Sequence, residues 1–169
     1  MKKPQNNYAY IDAANLHSAT EGLGWKLDYK KFRVLLSEKY GVVNAYIFIG
    51  LIDKYAGLYV YLQECGFILV FKEVIYDSNK KPKGNCDADL VLQVTRDAYE
   101  NKFSQSIIVS SDGDYAGLVK FLLENKKLSV IISPSLKDKC SILLKRTNAP
   151  IVYLNDKRGD IERVRENLK

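Results

Sequence analysis

The sequence predicts a three-layer α/β/α sandwich, doubly wound on a mainly parallel central sheet. Three observations carry that expectation. Strand-like and helix-like segments alternate along the whole chain, the order that builds βαβ units. The strand segments are short, nearly continuous apolar runs, as expected of strands covered on both faces. A chain of 169 residues with no linker and no internal repeat makes one folding unit with room for a sizeable core.

The elements follow in order. YAYI (8–11) is a first short strand, and the segment after it, including His17, reads as a loop. Asp28 caps a helix, DYKKFRVLLSEKYG, in which Phe32, Leu35, Leu36 and Tyr40 form the apolar stripe and Gly41 suits the residue after the C-cap. VVNAYIFIG (42–50) is a strand. DKYAGLYVYLQECG (53–66) is a helix with Leu58, Tyr61, Leu62 and Cys65 on its inner face, and FILVFKEVIY (67–76) is the next strand. DSNKKPKGN (77–85) is a polar, basic loop. A helix over 86–101, a strand over 106–111, a helix over 115–126 and a strand over 128–133 continue the alternation. SLKDKCSILLKR (135–146) reads as a helix and PIVYL (150–154) as a last short strand. One domain therefore spans 1–154. A charged tail follows over 155–169, in which Ile161, Val164 and Leu168 either line a short docked helix or fray.

Composition narrows the class. Apolar residues make up 47% and charged residues 27%, an ordinary globular balance, and no run of about eighteen apolar residues exists to cross a membrane. The N-terminus, MKKPQNNYAYIDAAN, lacks the apolar stretch of a secretory leader. Cys65, Cys86 and Cys140 are odd in number and widely spaced, matching neither a disulfide framework nor a zinc pattern. They read as reduced thiols of a cytoplasmic protein. A net charge of +6 favours a polyanionic partner, nucleic acid first.

The chemistry lies in the aspartates. In open α/β sheets ligands bind beyond the carboxyl ends of the strands. Asp12 follows the first strand directly, and Asp112 follows the strand over 106–111, so the two emerge on one rim if both strands are central and parallel. Asp114 is two residues further on, at the expected N-cap of the next helix. At about 100° per residue, Val91, Val94 and Ala98 fall within about 40° of Asp87, and Leu90 about 60° away. Asp89 points outward and Asp97 lies on a flank. Taken singly, each of these aspartates is more often a turn or cap residue than a ligand. Gathered on one rim they repel, and a hard cation such as Mg²⁺ or Mn²⁺ relieves that repulsion.

Other chemistries are excluded. His17 is the only histidine, so no histidine-built zinc site exists. No nucleophile elbow, Walker A sequence or dinucleotide fingerprint is present.

Three stretches together carry a resemblance. ID-x-x-N at the end of the first strand (Ile11, Asp12, Asn15), KGNCDADL (83–90) and VSSDGDY (109–115) resemble the three motifs of NYN domains, within the PIN-like nuclease superfamily. The resemblance spans about residues 6–154. The usual third motif is S-G-D-G-D-F, and here Ser111 and Tyr115 replace its first glycine and its phenylalanine. The resemblance implies a PIN-like Rossmannoid fold and a divalent-metal-dependent ribonuclease, with Asp12, Asp87 and Asp112 as principal Mg²⁺ or Mn²⁺ ligands and Asp114 as a fourth acidic member. It implies that Asn15 orients the scissile phosphate or an acidic neighbour. Lys80, Lys81 and Lys83 would hold single-stranded RNA by its backbone. Tyr115 would stack a base at the cleft mouth or pack beneath the cluster. A homodimer is compatible with the sequence, and a membrane partner is not expected. Two alternatives stay open: an RNA- or protein-binding module that cuts slowly or not at all, and a small-molecule phosphoesterase using the Asp112/Asp114 pair.

Overall fold

The computed structural model describes residues 5–164. Six parallel strands form one sheet: β1 (Asn7–Asp12), β2 (Val42–Leu51), β3 (Ile68–Glu73), β6 (Ser106–Val109), β7 (Leu128–Ser133) and β8 (Ile151–Tyr153), in the spatial order β3-β2-β1-β6-β7-β8. The chain winds outward from β1 through β2 to β3. It then returns to the other side of β1 and winds outward through β6, β7 and β8. The switch point is therefore the seam between β1 and β6, where Ile11 pairs with Val109 and the two strands end side by side. This is the place where a doubly wound sheet opens a crevice.

Helices cover both faces. Helices α1 (Ala13–Gly22), α2 (Tyr29–Tyr40) and α3 (Ala56–Glu64) lie on the side of a core that contains Ala9, Ile11, Leu16, Phe32, Leu36, Ile47 and Leu62. Helices α4 (Asp87–Tyr99), α5 (Ala116–Glu124) and α6 (Ile142–Lys145) close the other core, around Tyr10, Phe48, Leu90, Val94, Ile108, Leu118 and Leu122. Successive residues of β1 thus face opposite cores, which is why its sequence is an unbroken apolar run. No helix among the described residues is long and apolar enough to cross a membrane.

Helix α2 begins and ends as the sequence indicates. Asp28 accepts a hydrogen bond from Lys31 N at 3.0 Å, and Gly41 takes the left-handed conformation with φ 64°. Five segments depart from the sequence expectation. Residues 13–22, read as a loop, form α1, so His17 sits on a helix; only Ala13, Leu16 and Thr20 of that helix are buried, too thin a stripe to show as periodicity. In the helix after β2, Tyr59 is buried while Leu58 is exposed, because a short 3₁₀ turn at Asp53–Tyr55 precedes α3. The strand expected over 67–76 breaks at Val74. There the side chain crosses two glycines: a Cβ on Gly50 or Gly84 would sit 2.8 or 3.0 Å from Val74 Cγ2.

Beyond that crossing, the expected loop is an antiparallel ribbon, β4 (Ile75–Tyr76) against β5 (Pro82–Lys83). Its turn is held by Asp77, whose Oδ1 accepts from Asn79 N and Lys81 N, both at 2.9 Å. The helix expected over 135–146 shrinks to α6. Ser141 is extended (φ −55°, ψ 135°), its N–H bonds Ser111 O at 3.1 Å, and its side chain accepts from Leu143 N. Continuity of that helix is given up to tie the chain to the segment after β6.

The last described segment packs back on the domain. A helical turn, α7 (Arg158–Ile161), buries Ile161, and Arg163 N bonds Lys26 O at 2.8 Å. Val164 stays exposed, and Leu168 lies outside the described residues.

Candidate active site

Each proposed acidic residue is placed by a different local rule. Asp12 ends β1 and caps α1: its Oδ1 accepts from Asn15 N at 3.1 Å. Asp112 follows β6 and caps the 3₁₀ turn Gly113–Tyr115 by accepting from Asp114 N at 3.0 Å. The cap expected of Asp114 is thus made by Asp112, and Asp114 is left exposed with its carboxylate free of that duty. Gly113 between them has no room for a side chain, since a Cβ there would lie 2.4 Å from Ser141 Oγ. Asp87 opens α4, with its N–H held by Asn85 Oδ1 at 2.7 Å.

The buried residues of α4 are Leu90, Val94 and Asp97. Their mean direction lies about 50° from Asp87. Asp87 therefore stands at the edge of the buried stripe, half-buried and facing the rim. Asp97, expected on a flank, is buried; the inner face of α4 extends toward Tyr10, whose hydroxyl donates to Asp97 Oδ2 at 2.8 Å. Asp89 points away and pairs with Lys72 of β3 at 2.9 Å.

The three segments converge. One carboxylate oxygen from each of Asp87, Asp112 and Asp114 lies within 4.8 Å of the others. Asp12 joins through Tyr115, whose hydroxyl lies 3.1 Å from Asp12 Oδ2 and 2.7 Å from Asp87 Oδ1. Tyr115 is completely buried, so it packs beneath the cluster and offers no ring face for a base. The stacking role is corrected accordingly. Burial pushes the Asp12 carboxyl above its ordinary value; Asn15 N and the Tyr115 hydroxyl pull it back, while Asp87 and Asp112 push it up again. The Tyr115 phenol is held protonated by burial and by the charge of Asp12. Cys86 is pushed up to about 11, first by burial and then by the charge of Asp12.

The donor set consists of oxygen atoms alone, the chemistry of hard divalent cations. Among the described residues no lysine, arginine or histidine forms an ion pair with Asp12, Asp87, Asp112 or Asp114. The residues present fit a divalent cation.

Asn15 is brought in from α1. Its Oδ1 accepts from Ser111 N at 2.9 Å and from Ser111 Oγ at 3.0 Å, and Ser111 Oγ meets Ser135 Oγ at 2.7 Å. The cluster opens into a cleft of about 990 Å³. Asp12, Asn15, Asp87 and Asp112 line one part of it, Lys83, Gly84 and Asn85 a second, and Ile52, Tyr55 and Leu58 a third. Lys80, Lys81 and Lys83 are exposed on the ribbon, where Lys80 takes a positive φ of 58° in the turn. Sequence reasoning singled out neither Ser135 nor the apolar wall of Ile52, Tyr55 and Leu58. The wall had a signal, since apolar residues at 52, 55 and 58 recur every third position beside a strand end.

A solved structure of a protein of unknown function from Vibrio parahaemolyticus RIMD 2210633, VPA0982, has the same fold: TM-score 0.77, 20% identity, 96% of this chain and 99% of that one covered. Comparison with curated proteins finds no match. The NYN domain family matches residues 8–148, a stretch that holds all but the first residue of β1, the whole of α4 and β6, and all four clustered aspartates. The chain belongs to the NYN domain family, whose members are nucleases of the PIN-like type.

Proposed function

We propose that this chain is a Mg²⁺- or Mn²⁺-dependent ribonuclease that hydrolyses phosphodiester bonds within single-stranded RNA. The observation that carries the reading is the convergence of Asp12, Asp87, Asp112 and Asp114 from three separate segments with no cationic side chain of the described residues paired to them. These four carboxylates would hold the ion, which when bound supplies acidity to a water molecule and positive charge to the phosphate. Either Asp12 or Asp112 would orient the attacking water. Asn15 donates from its amide to a phosphate oxygen. Lys80, Lys81 and Lys83 hold the RNA backbone beside the cleft, which positions the strand without reading its sequence. Three free cysteines accord with a cytoplasmic setting.

The test is the double substitution Asp12→Asn, Asp112→Asn. Cleavage of a labelled single-stranded RNA in Mn²⁺ is expected to vanish while circular dichroism and RNA binding persist. Undiminished cleavage rejects the site. Wild-type binding without any cleavage would point to a binding module instead.

A further inference from the structure

We propose that Ser111 and Ser135 are positioning residues that lock the side-chain amide of Asn15 with its NH₂ group turned to the scissile phosphate. The inference rests on the ribonuclease reading for its catalytic half and on geometry for the rest. The two ends of an asparagine amide are hard to tell apart by shape, so their identity has to come from their partners. Here one partner is decisive. Ser111 N is a backbone donor and nothing else, and it lies 2.9 Å from Asn15 Oδ1. That end of the amide is therefore the carbonyl, and Nδ2 points the other way.

The rest of the chain of bonds follows by proton count. With Ser111 N fixing the carbonyl end, Ser111 Oγ also donates to Oδ1 at 3.0 Å. A hydroxyl has one proton, so Ser111 Oγ can only accept at its 2.7 Å contact with Ser135 Oγ. Ser135 thus donates to Ser111, and Ser111 donates to Asn15. The far end is anchored too: Ser133, completely buried at the end of β7, donates from Oγ to Ser135 O at 2.9 Å. The ends of β6 and β7 are in this way wired to the first turn of α1. Asn15 lines the cleft, and its Nδ2 carries no hydrogen bond to the described residues. A donor held in advance, next to a cluster of carboxylates, suits a phosphate oxygen and costs no reordering when the substrate arrives.

The experiment is a double-mutant cycle on Asn15→Ala and Ser135→Ala, read as kcat and KM for a labelled single-stranded RNA in Mn²⁺. Asn15→Ala should lower kcat by about 100-fold, as loss of one positioned donor does. Ser135→Ala should lower kcat by about 10-fold with KM little changed, the usual scale for a group that orients another. In the Asn15→Ala background the serine substitution should add nothing, because it acts through the amide. Additive effects would overturn the proposal. A second arm needs no catalysis: ¹⁵N relaxation of the Asn15 side-chain NH₂ should show a rigid group in the wild type and a mobile one in Ser135→Ala. Equal mobility in both also overturns it. A wild-type protein that cuts no RNA ends the ribonuclease reading and the catalytic half with it, and the relaxation arm still decides the orientation.

Discussion

Two carboxylate sites in this molecule share a design and differ in one component. In the first, Tyr10 donates to Asp97 at 2.8 Å, and Lys102 Nζ stands 3.4 Å from the other oxygen of Asp97. In the second, the hydroxyl of Tyr115 lies 2.7 Å from Asp87 and 3.1 Å from Asp12. Both tyrosines are completely buried, and both phenols are held protonated by burial and neighbouring carboxylate charge. The first site brings its own cation and gathers one charge. The second gathers four aspartates and brings none among the described residues. A buried carboxylate that serves the fold is neutralised from within. One left without a counter-charge, at the switch point of the sheet, is arranged for a charge that arrives from solution.

Reciprocal substitutions should break the comparison most visibly. Asp87→Asn should cost at least about 1000-fold in RNA cleavage, the scale of losing a principal electrostatic group, while leaving thermal stability unchanged or raised. Asp97→Ala should do the reverse. It should cost roughly 1–3 kcal/mol of stability by stranding the Tyr10 hydroxyl, measured by urea unfolding, with activity per folded molecule retained. Loss of activity in a well-folded Asp97 variant would erase the distinction between the sites.

The next effect concerns charge. Asp12 has a raised carboxyl in the metal-free protein, so its ionised form is disfavoured in the folded state. The associated stability is full below the ordinary carboxylate value of 3.8 and is lost as pH rises through the raised value. Asp12→Asn should therefore melt higher than wild type at pH 7, and the gap should close as pH falls. Mn²⁺ at about 100 times its Kd should stabilise the wild type by about 2.7 kcal/mol. It should do little for a variant with all four aspartates changed to Asn.

Tyr115→Phe tests the component that the two sites share. It removes the single hydroxyl proton that lies between Asp87 and Asp12 and should lower metal-free stability by roughly 1–3 kcal/mol, with a smaller loss of cleavage than Asp87→Asn gives. The smallest effect belongs to the ribbon. Replacing Lys80, Lys81 and Lys83 together by Ala should flatten the salt dependence of RNA binding, by about 0.7 in slope for each phosphate no longer neutralised, with kcat nearly unchanged.

The sheet and the four aspartates were legible because short-range rules place them. A residue at the end of a buried strand, or a few positions past it, emerges on the rim, which located Asp12 and Asp112; helical angle placed Asp87 on the inner side of α4, where the structure sets it at the edge of the buried stripe. What failed depends on distance along the chain. The Tyr115 hydroxyl reaches Asp12 across 103 positions, and Ser135 reaches Ser111 across 24, pairings that no local period announces. Asp97 was misplaced because the aromatic residues of the neighbouring strands widen the buried face of α4. Helix 135–146 failed for a related reason: the pattern of Leu136, Cys140, Leu143 and Leu144 is helical, but the bond from Ser141 N to Ser111 O interrupts it. The sequence indicated which acidic residues gather on the rim better than it indicated which residues hold them there.

The central claim, that the four aspartates form a seat for a divalent ion, is tested most directly by soaking crystals in Mn²⁺ and collecting anomalous data at the manganese edge. An anomalous peak touching carboxylate oxygens of Asp87 and Asp112, with Asp12 and Asp114 bonded directly or through water, is the expected result. A map with no peak there, or a lysine or arginine side chain folded into the cluster in its stead, would contradict it.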